Sequence, residues 1–96
     1  MYDMVLTETI TQYFDFVSED VIRLKGHRLG IEHVLAFYHE GYTPEQIAQE
    51  FPGVDLAVIY ATITFYPANE AEIDAYLLRR QIAYEKAYQD WQKVSV

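Results

Sequence analysis

Residues 41–47 of this 96-residue chain carry the strongest local structural signal: Gly41-Tyr42-Thr43-Pro44-Glu45-Gln46-Ile47. Gly41 suits the left-handed backbone conformation that ends a helix. Thr43 can cap the next helix, Pro44 fits its first helical position, and Gln46 completes a capping box. The stretch therefore predicts the turn between two helices and the start of the second one.

Apolar periodicity predicts a further helix on each side. Upstream, residues 31–40 carry an apolar face with the spacing i, i+3, i+4, i+7, formed by Ile31, Val34, Leu35 and Tyr38. Downstream, Asp55 is the expected cap of a third helix, whose expected core stripe is Leu56, Ile59, Tyr60 and Ile63. Pro67 disfavours helical geometry at Tyr66, so the third helix should end or kink there.

The N-terminal part of the chain has the composition of a strand pair. Residues 10–17 are rich in β-branched and aromatic side chains and predict a strand, and residues 21–24 predict a second, shorter one. A two-stranded hairpin alone is marginal in water, so it should pack on the helices or pair with a second subunit.

Residues 69–93 predict a long C-terminal helix. Its apolar seam is interrupted by Arg80 and otherwise consists of Ile73, Leu77, Tyr84, Ala87 or Tyr88, and Trp91. About 25 residues at ~1.5 Å each would span ~37 Å, which exceeds the reach of a compact body of this size. The last turns should therefore overhang the body, unless the helix breaks near Gln81 and folds back.

These elements predict one mainly α domain over residues 1–96. It comprises a strand pair at 10–24, a three-helix core at 31–66 and a C-terminal helix at 69–93. Apolar residues make up 51% of the chain, so a core should form. There is no cysteine, which excludes disulfides and thiol chemistry. Residues 1–9 lack a basic-then-apolar leader and no stretch is long and apolar enough to span a bilayer, which favours a cytoplasmic location.

Residue patterns argue against enzymatic, metal and cofactor chemistry. His33 and His39 are expected to lie about 240° apart on a helix, too far to share a metal ion. Only Ser18 and Ser95 could supply a serine nucleophile, in a turn and at the chain end. No glycine-rich phosphate loop is present. We therefore expect no catalytic residue, no metal and no cofactor.

The net charge of −8 is unevenly distributed. No Lys or Arg lies between Arg28 and Arg79, where eight carboxylates occur. The remaining feature is a basic cluster at Arg23, Lys25 and Arg28, next to His27. It can contact phosphate or an acidic partner, or it can neutralise nearby carboxylates, with Arg28 pairing to the first helix.

Residues 22–66 resemble a widespread bacterial family of small trihelical proteins, the domain of unknown function number 433. The resemblance rests on the Gly-x-Arg step at Gly26-His27-Arg28, on residues 41–48, and on the pairs Val34-Leu35, Phe51-Pro52, Tyr60-Ala61 and Phe65-Tyr66. It implies a homeodomain-like, winged-helix-type fold preceded by a strand pair. It also implies kinship with antitoxins, whose partners are often PIN-like nuclease toxins, and it carries over no catalytic residue.

DNA binding is the other function that the resemblance implies, and the charges oppose it. In a helix-turn-helix the second helix, here residues 55–66, enters the major groove. Its expected outward side carries no Lys or Arg to contact guanine or phosphate: Asp55, Ala57, Val58, Ala61, Thr62 and Thr64. DNA binding by the chain alone should therefore be weak.

Three functional hypotheses follow. The first is an antitoxin-like module that binds a protein partner through its C-terminal helix, at Leu77, Arg79, Arg80, Tyr84, Tyr88 and Trp91. The second is a DNA-binding regulator, in which a homodimer brings together two copies of Arg23, Lys25 and Arg28. The third is a homodimer with no other partner.

Overall fold

The computed structural model of the chain describes residues 10–95, with side chains up to residue 93. The expectation about a leader in residues 1–9 lies outside this part. The elements in order are the strands β1 (Phe14–Ser18) and β2 (Val21–Leu24) and the helices α1 (Ile31–His39), α2 (Pro44–Glu50), α3 (Leu56–Ala68) and α4 (Glu70–Ser95). The predicted mainly helical fold with an N-terminal hairpin is confirmed.

The hairpin begins later than predicted. Strands β1 and β2 pair antiparallel, with Phe14 opposite Leu24, and both of these side chains are buried in the core. The strand predicted from residue 10 is wrong at its start, because Ile10 and Thr11 are helical. The Tyr13 backbone N–H donates to the Ile10 carbonyl at 3.1 Å, which closes a turn before β1 begins.

The turn between α1 and α2 has the predicted construction. Gly41 has a positive φ of 95°. The Gln46 N–H donates to Thr43 Oγ1 at 3.2 Å and the Thr43 N–H donates to Gln46 Oε1 at 2.9 Å, which confirms the capping box. Tyr38 was predicted in the core and is exposed. Its neighbour Phe37 packs instead against the rings of Tyr42 and Phe51.

The core-facing side of α3 differs from the prediction. Of the predicted stripe, Ile59 is buried and Ile63 is partly buried, whereas Leu56 and Tyr60 are exposed; the buried residues are Val58, Ile59, Ala61 and Thr62. Thr62 Oγ1 donates to the Val58 carbonyl at 2.8 Å, which satisfies its hydroxyl inside the core. A helix that is apolar nearly all round gives little periodic signal, so a polar threonine was misplaced.

Both predicted ends of α3 need correction. Asp55 occupies the cap position, but its side chain makes no capping hydrogen bond. The helix continues through Pro67 and ends at Ala68, two residues beyond Tyr66. Asn69 Nδ2 donates to the Phe65 carbonyl at 3.2 Å and the Asn69 N–H donates to the Tyr66 carbonyl at 3.0 Å. These two bonds satisfy the carbonyl groups of Phe65 and Tyr66 in the last turn of the helix, next to the proline.

Helix α4 is continuous over 26 residues, so the alternative of a break near Gln81 is wrong. At ~1.5 Å per residue it is ~39 Å long. The molecule measures 57 × 27 × 25 Å, in agreement with the predicted overhang. Among the α4 side chains described, up to residue 93, those of Ile73 and Tyr76 are buried in the core, and Leu77 is partly buried beside them.

Candidate functional site

A groove of about 430 Å³ runs between α1 and α4 and is open to solvent. We call it the α1–α4 groove. Helix α1 contributes Glu32, His33, Ala36 and His39, and α4 contributes Leu77, Arg80, Gln81, Tyr84 and Glu85. The α4 residues in its walls lie between Leu77 and Glu85. The groove is therefore at the point where α4 leaves the body.

The carboxylate of Glu32 organises the base of this groove. Tyr76 donates its hydroxyl to Glu32 Oε1 at 2.8 Å, and Tyr84 donates to Glu32 Oε2 at 2.9 Å. Arg80 Nε lies 3.4 Å from Glu32 Oε2, within ion-pair range but without hydrogen-bond geometry. The Tyr76 hydroxyl also accepts from the Ile22 N–H at 3.1 Å. One carboxylate thus links α1 to α4 and, through Tyr76, to β2.

Local backbone explains why Glu32 can reach these partners. It lies in the first turn of α1, where a carboxylate is stabilised by the helix dipole. The Glu32 side chain lies directly over Gly30, since a Cβ built on Gly30 would collide with the Glu32 carboxylate. Burial alone would raise the pKa of Glu32, but hydrogen bonds from Tyr76, its own backbone and Tyr84 outweigh burial and lower that pKa. The carboxylate is therefore held in its charged form.

Arg79 and Arg80, predicted as partner contacts, are engaged within the chain. Arg79 Nε donates to Asp20 Oδ1 at 2.9 Å, and its Nη2 donates to the Glu19 carbonyl at 3.3 Å. Arg80 Nη1 donates to the Asp20 carbonyl at 3.1 Å, and its guanidinium lies 4.8 Å from the centre of the Tyr84 ring. Both arginines therefore anchor α4 to the turn of the hairpin.

The predicted aromatic residues of α4 lie at the surface, Tyr84 in the wall of the groove and Tyr88 and Trp91 beyond it. Tyr84, Tyr88 and Trp91, which we call the aromatic stripe, are 46%, 59% and 63% exposed. At ~100° per residue they fall within ~60° of one another and continue the line of Ile73 and Leu77. The rings of Tyr88 and Trp91 stack with their centres 6.2 Å apart. The face of α4 that packs on the body thus continues beyond the body.

A second pair of exposed apolar residues lies on the other side of α4. Leu78 and Ile82 are 57% and 56% exposed, close to the values of the stripe. Ile82 is ~160° around the helix from Tyr84 at ~100° per residue. This pair is a matched control for any function assigned to the stripe.

The basic cluster is exposed and is separate from the groove. Arg23, Lys25 and Arg28 form no ion pair with any other residue between 10 and 95. The predicted pairing of Arg28 with α1 is therefore not found, because the Glu32 carboxylate pairs with Arg80 instead. Arg23 lies directly across the hairpin from Asp15. These three exposed residues, one in β2 and two in the loop that follows it, are the only Lys or Arg residues outside α4 in the part of the chain that the structure describes.

The outer surface of the α2–α3 pair is acidic and partly apolar. Of the residues expected to face outward from the third helix, Val58, Ala61 and Thr62 are buried, whereas Asp55, Ala57 and Thr64 are exposed. The exposed side also carries Leu56 and Tyr60. The Tyr60 hydroxyl donates to Glu45 of α2, which raises the pKa of Tyr60 and lowers that of Glu45. On the observed surface the Tyr60 hydroxyl is already bonded to Glu45, Thr64 is the exposed threonine, and there is no cation.

The two histidines on α1 pack against different neighbours. His33 and His39 both contribute to the lining of the α1–α4 groove, and the His33 ring lies 6.2 Å from the Tyr84 ring. His33 Nε2 is 3.9 Å from Glu32 Oε2, and the His39 ring packs edge-on against Tyr66. Across residues 10–95, no three His, Asp or Glu side chains are grouped as metal ligands.

Sequence reasoning missed the centre of this site. Tyr76 was left out of the seam, and Glu32 was counted only as one of several carboxylates. The one available signal was the position of Glu32 in a first helical turn. Nothing local indicates that Tyr76, 44 residues away, donates to it.

Comparison with known proteins gives one match. The family model described as "Protein of unknown function (DUF433)" matches residues 8–66, which includes the hairpin, α1, α2 and most of α3. No curated protein and no solved structure matches the chain. Within the described residues, no helix combines the length and the apolar content needed to cross a membrane. Helix α4 lies outside the matched region. Because the match covers more than half of its length, the chain belongs to this family of proteins of unknown function, DUF433.

Proposed function

We propose that this chain is a non-enzymatic protein-binding module that docks the aromatic stripe of α4 onto a groove of a partner protein. The observation that carries the proposal is the exposure of Tyr84, Tyr88 and Trp91 on the same line of α4 that packs on the body. Aromatic anchors at i, i+4 and i+7 are the pattern by which a helix binds in a groove. Tyrosine and tryptophan are also the residues enriched at the energetic centres of interfaces.

The body of the chain supports this mode of binding. Arg79 and Arg80 clamp the start of the overhang to the hairpin turn, and Tyr84 is tied to Glu32. A helix held at one end loses less conformational entropy when it binds than a disordered segment does. We therefore propose that Arg79 and Arg80 position α4, and that Leu77 and the aromatic stripe contact the partner.

Charge indicates the kind of partner. Residues 78–96 carry four basic and two acidic side chains, so the chain's net charge of −8 leaves −10 on residues 1–77. A body of this charge favours association with a basic protein surface. In its specific form the module is antitoxin-like and the partner is a PIN-like nuclease toxin, as the family resemblance implies. In the same proposal, α1–α3 form a homeodomain-like, winged-helix-type unit in which the hairpin precedes the helices.

A second candidate function is DNA binding through the exposed cluster Arg23, Lys25 and Arg28. A dimer would double this cluster, and a basic partner would add further cations. The acidic α2–α3 surface opposes direct contact between α3 and DNA, because phosphate contacts depend on cations that this surface lacks. We therefore rank protein binding first.

The test is co-expression of the tagged full chain with the product of the neighbouring open reading frame, followed by pull-down. Three forms are compared: the unchanged chain, Tyr88→Ala/Trp91→Ala, and the matched control Leu78→Ala/Ile82→Ala. We expect the unchanged chain and the control to retain the partner and the stripe variant to lose it. Retention by the stripe variant, or no retention by any form, overturns the proposal.

A further inference from the structure

The α1–α4 groove and the aromatic stripe lie on one side of the same helix. The groove is walled by α4 residues from Leu77 to Glu85, and the stripe extends to Trp91. Tyr84 belongs to both, and Trp91 follows it by seven residues, ~10.5 Å along the axis at ~1.5 Å per residue. The chain thus carries both an apolar recess and an exposed aromatic side chain that a recess could receive.

We propose that, without another partner, two copies of this chain pair through antiparallel α4 helices, with Trp91 of each copy in the α1–α4 groove of the other. The inference rests on the surface assigned under the proposed function, and it names a second copy as its occupant. A two-fold interface requires each copy to present both halves of the contact. In an antiparallel pair, Tyr84 of each copy lies beside Trp91 of the other, so the contact forms twice. The two-fold axis then passes beside Ala87 and Tyr88.

The spacing of the stripe suits such a helix pair. Leu77, Tyr84 and Trp91 recur every seven residues, the repeat at which side chains of two paired helices interlock. Ala36 and Leu77 give the groove an apolar part of its lining, and Glu85 also contributes to its walls. A tryptophan inserted there would bury its ring against these apolar side chains.

Charge selects the antiparallel orientation. Residues 1–77 carry a net charge of −10, whereas residues 78–96 are weakly basic. Antiparallel helices place the two acidic bodies at opposite ends of the pair, and parallel helices would place them side by side. Like charges within about one Debye length, ~8 Å at physiological salt, repel appreciably. The parallel arrangement is therefore disfavoured.

The available area predicts a weak dimer. Two copies contribute six aromatic side chains from the stripe, and at ~150–250 Å² each, about half of it exposed, these bury roughly 450–750 Å². Stable interfaces bury ~1,200 Å² or more, so the pair should exchange readily at micromolar concentration. A readily exchanging pair can release the stripe to another protein.

The first test uses Trp91, the single tryptophan of the chain, as a reporter. Its fluorescence emission is recorded together with the mass from sedimentation velocity as the full chain is diluted from ~200 to ~1 µM. We expect a dimer at the high end and a red shift of the emission on dilution. Tyr84→Ala/Tyr88→Ala should raise the dimer Kd about tenfold or more, whereas Leu78→Ala/Ile82→Ala should leave it unchanged. A monomer throughout the range, or equal effects of the two variants, overturns the inference.

The second test fixes the orientation, using the absence of native cysteine. Under oxidising conditions Ala87→Cys, beside the proposed two-fold axis, should cross-link two copies. Gln92→Cys should not, because antiparallel pairing separates the two positions by ~14 Å along the axis, too far for a disulfide. Cross-linking of both variants at similar rates contradicts antiparallel pairing. A monomer that still captures a partner through the stripe overturns this inference alone, and a dimer that captures none overturns the proposed function alone.

Discussion

Tyr76 and Glu32 are 44 residues apart in the sequence, yet the Tyr76 hydroxyl donates to Glu32 Oε1 at 2.8 Å. The same hydroxyl accepts from the Ile22 N–H at 3.1 Å. This contact joins the hairpin, α1 and α4 at the point where α4 leaves the body. The direction of the overhanging helix therefore depends on it.

Replacing Tyr76 with Phe should destabilise the fold by about 1–3 kcal/mol, because it leaves the Ile22 N–H and one Glu32 oxygen without this partner in a partly buried site. Urea unfolding followed by circular dichroism measures the change. Tyr88→Phe is the control, since its hydroxyl is exposed and should cost less than about 0.5 kcal/mol. Equal stability of the two variants would contradict the contact.

The lowered pKa of Glu32 predicts a pH dependence of stability. A carboxyl whose pKa is lower in the folded than in the unfolded state stabilises fully above its ordinary value, near 4.5, and loses this contribution as the pH falls through the folded pKa. The stability difference between the unchanged chain and Glu32→Gln should therefore shrink on acidification. Unfolding curves between pH 7 and 3 test this. A constant stability difference for Glu32→Gln across this pH range would count against the assignment.

Gly30→Ala should act through Glu32 and not through the backbone. Gly30 has an ordinary φ of −83°, but an added Cβ would displace the Glu32 carboxylate from Tyr76 and Tyr84. Gly30→Ala should therefore destabilise the fold when Glu32 is present and have much less effect in a Glu32→Ala background. A double-mutant cycle should give a coupling of about 0.5–3 kcal/mol. Additive effects would show that the cost arises elsewhere.

The chain alone should bind duplex DNA weakly. Helix α3 presents Leu56, Ala57, Tyr60 and Thr64 outward, and none of these carries a positive charge. At physiological salt we expect no shift of its own promoter at about 10 µM protein, and only salt-sensitive binding at low salt that Arg28→Ala reduces. Submicromolar binding that Tyr60→Ala or Thr64→Ala abolishes would restore α3 as a recognition helix.

The sequence predicts those elements best whose signals are local. The capping box at Thr43 and Gln46, the glycine turn at Gly41 and the long helix from residue 69 depend on neighbouring residues, and the structure has all of them. The side of α3 that faces the core was misplaced because an apolar run has no clear periodicity. The core threonine, Thr62, is explained only by its bond to the Val58 carbonyl.

In the candidate site, too, the local features were predicted and the contacts between distant segments were not. The stripe was predicted because aromatic spacing on a helix longer than its body is visible in the sequence. The internal engagement of Arg79 and Arg80 was not, since it depends on Asp20 in a hairpin turn about 60 residues earlier. Contacts between distant segments set the network at Glu32, and periodicity carries no information about them.

Amide hydrogen exchange of the full chain, alone and in complex with its co-purified partner, distinguishes α4 from α3 as the interaction surface. We predict slower exchange on binding in the stripe region, residues 84–93, and no change in residues 55–66. Protection confined to residues 55–66, with exchange in α4 unaltered, would show that α3 and not α4 binds the partner.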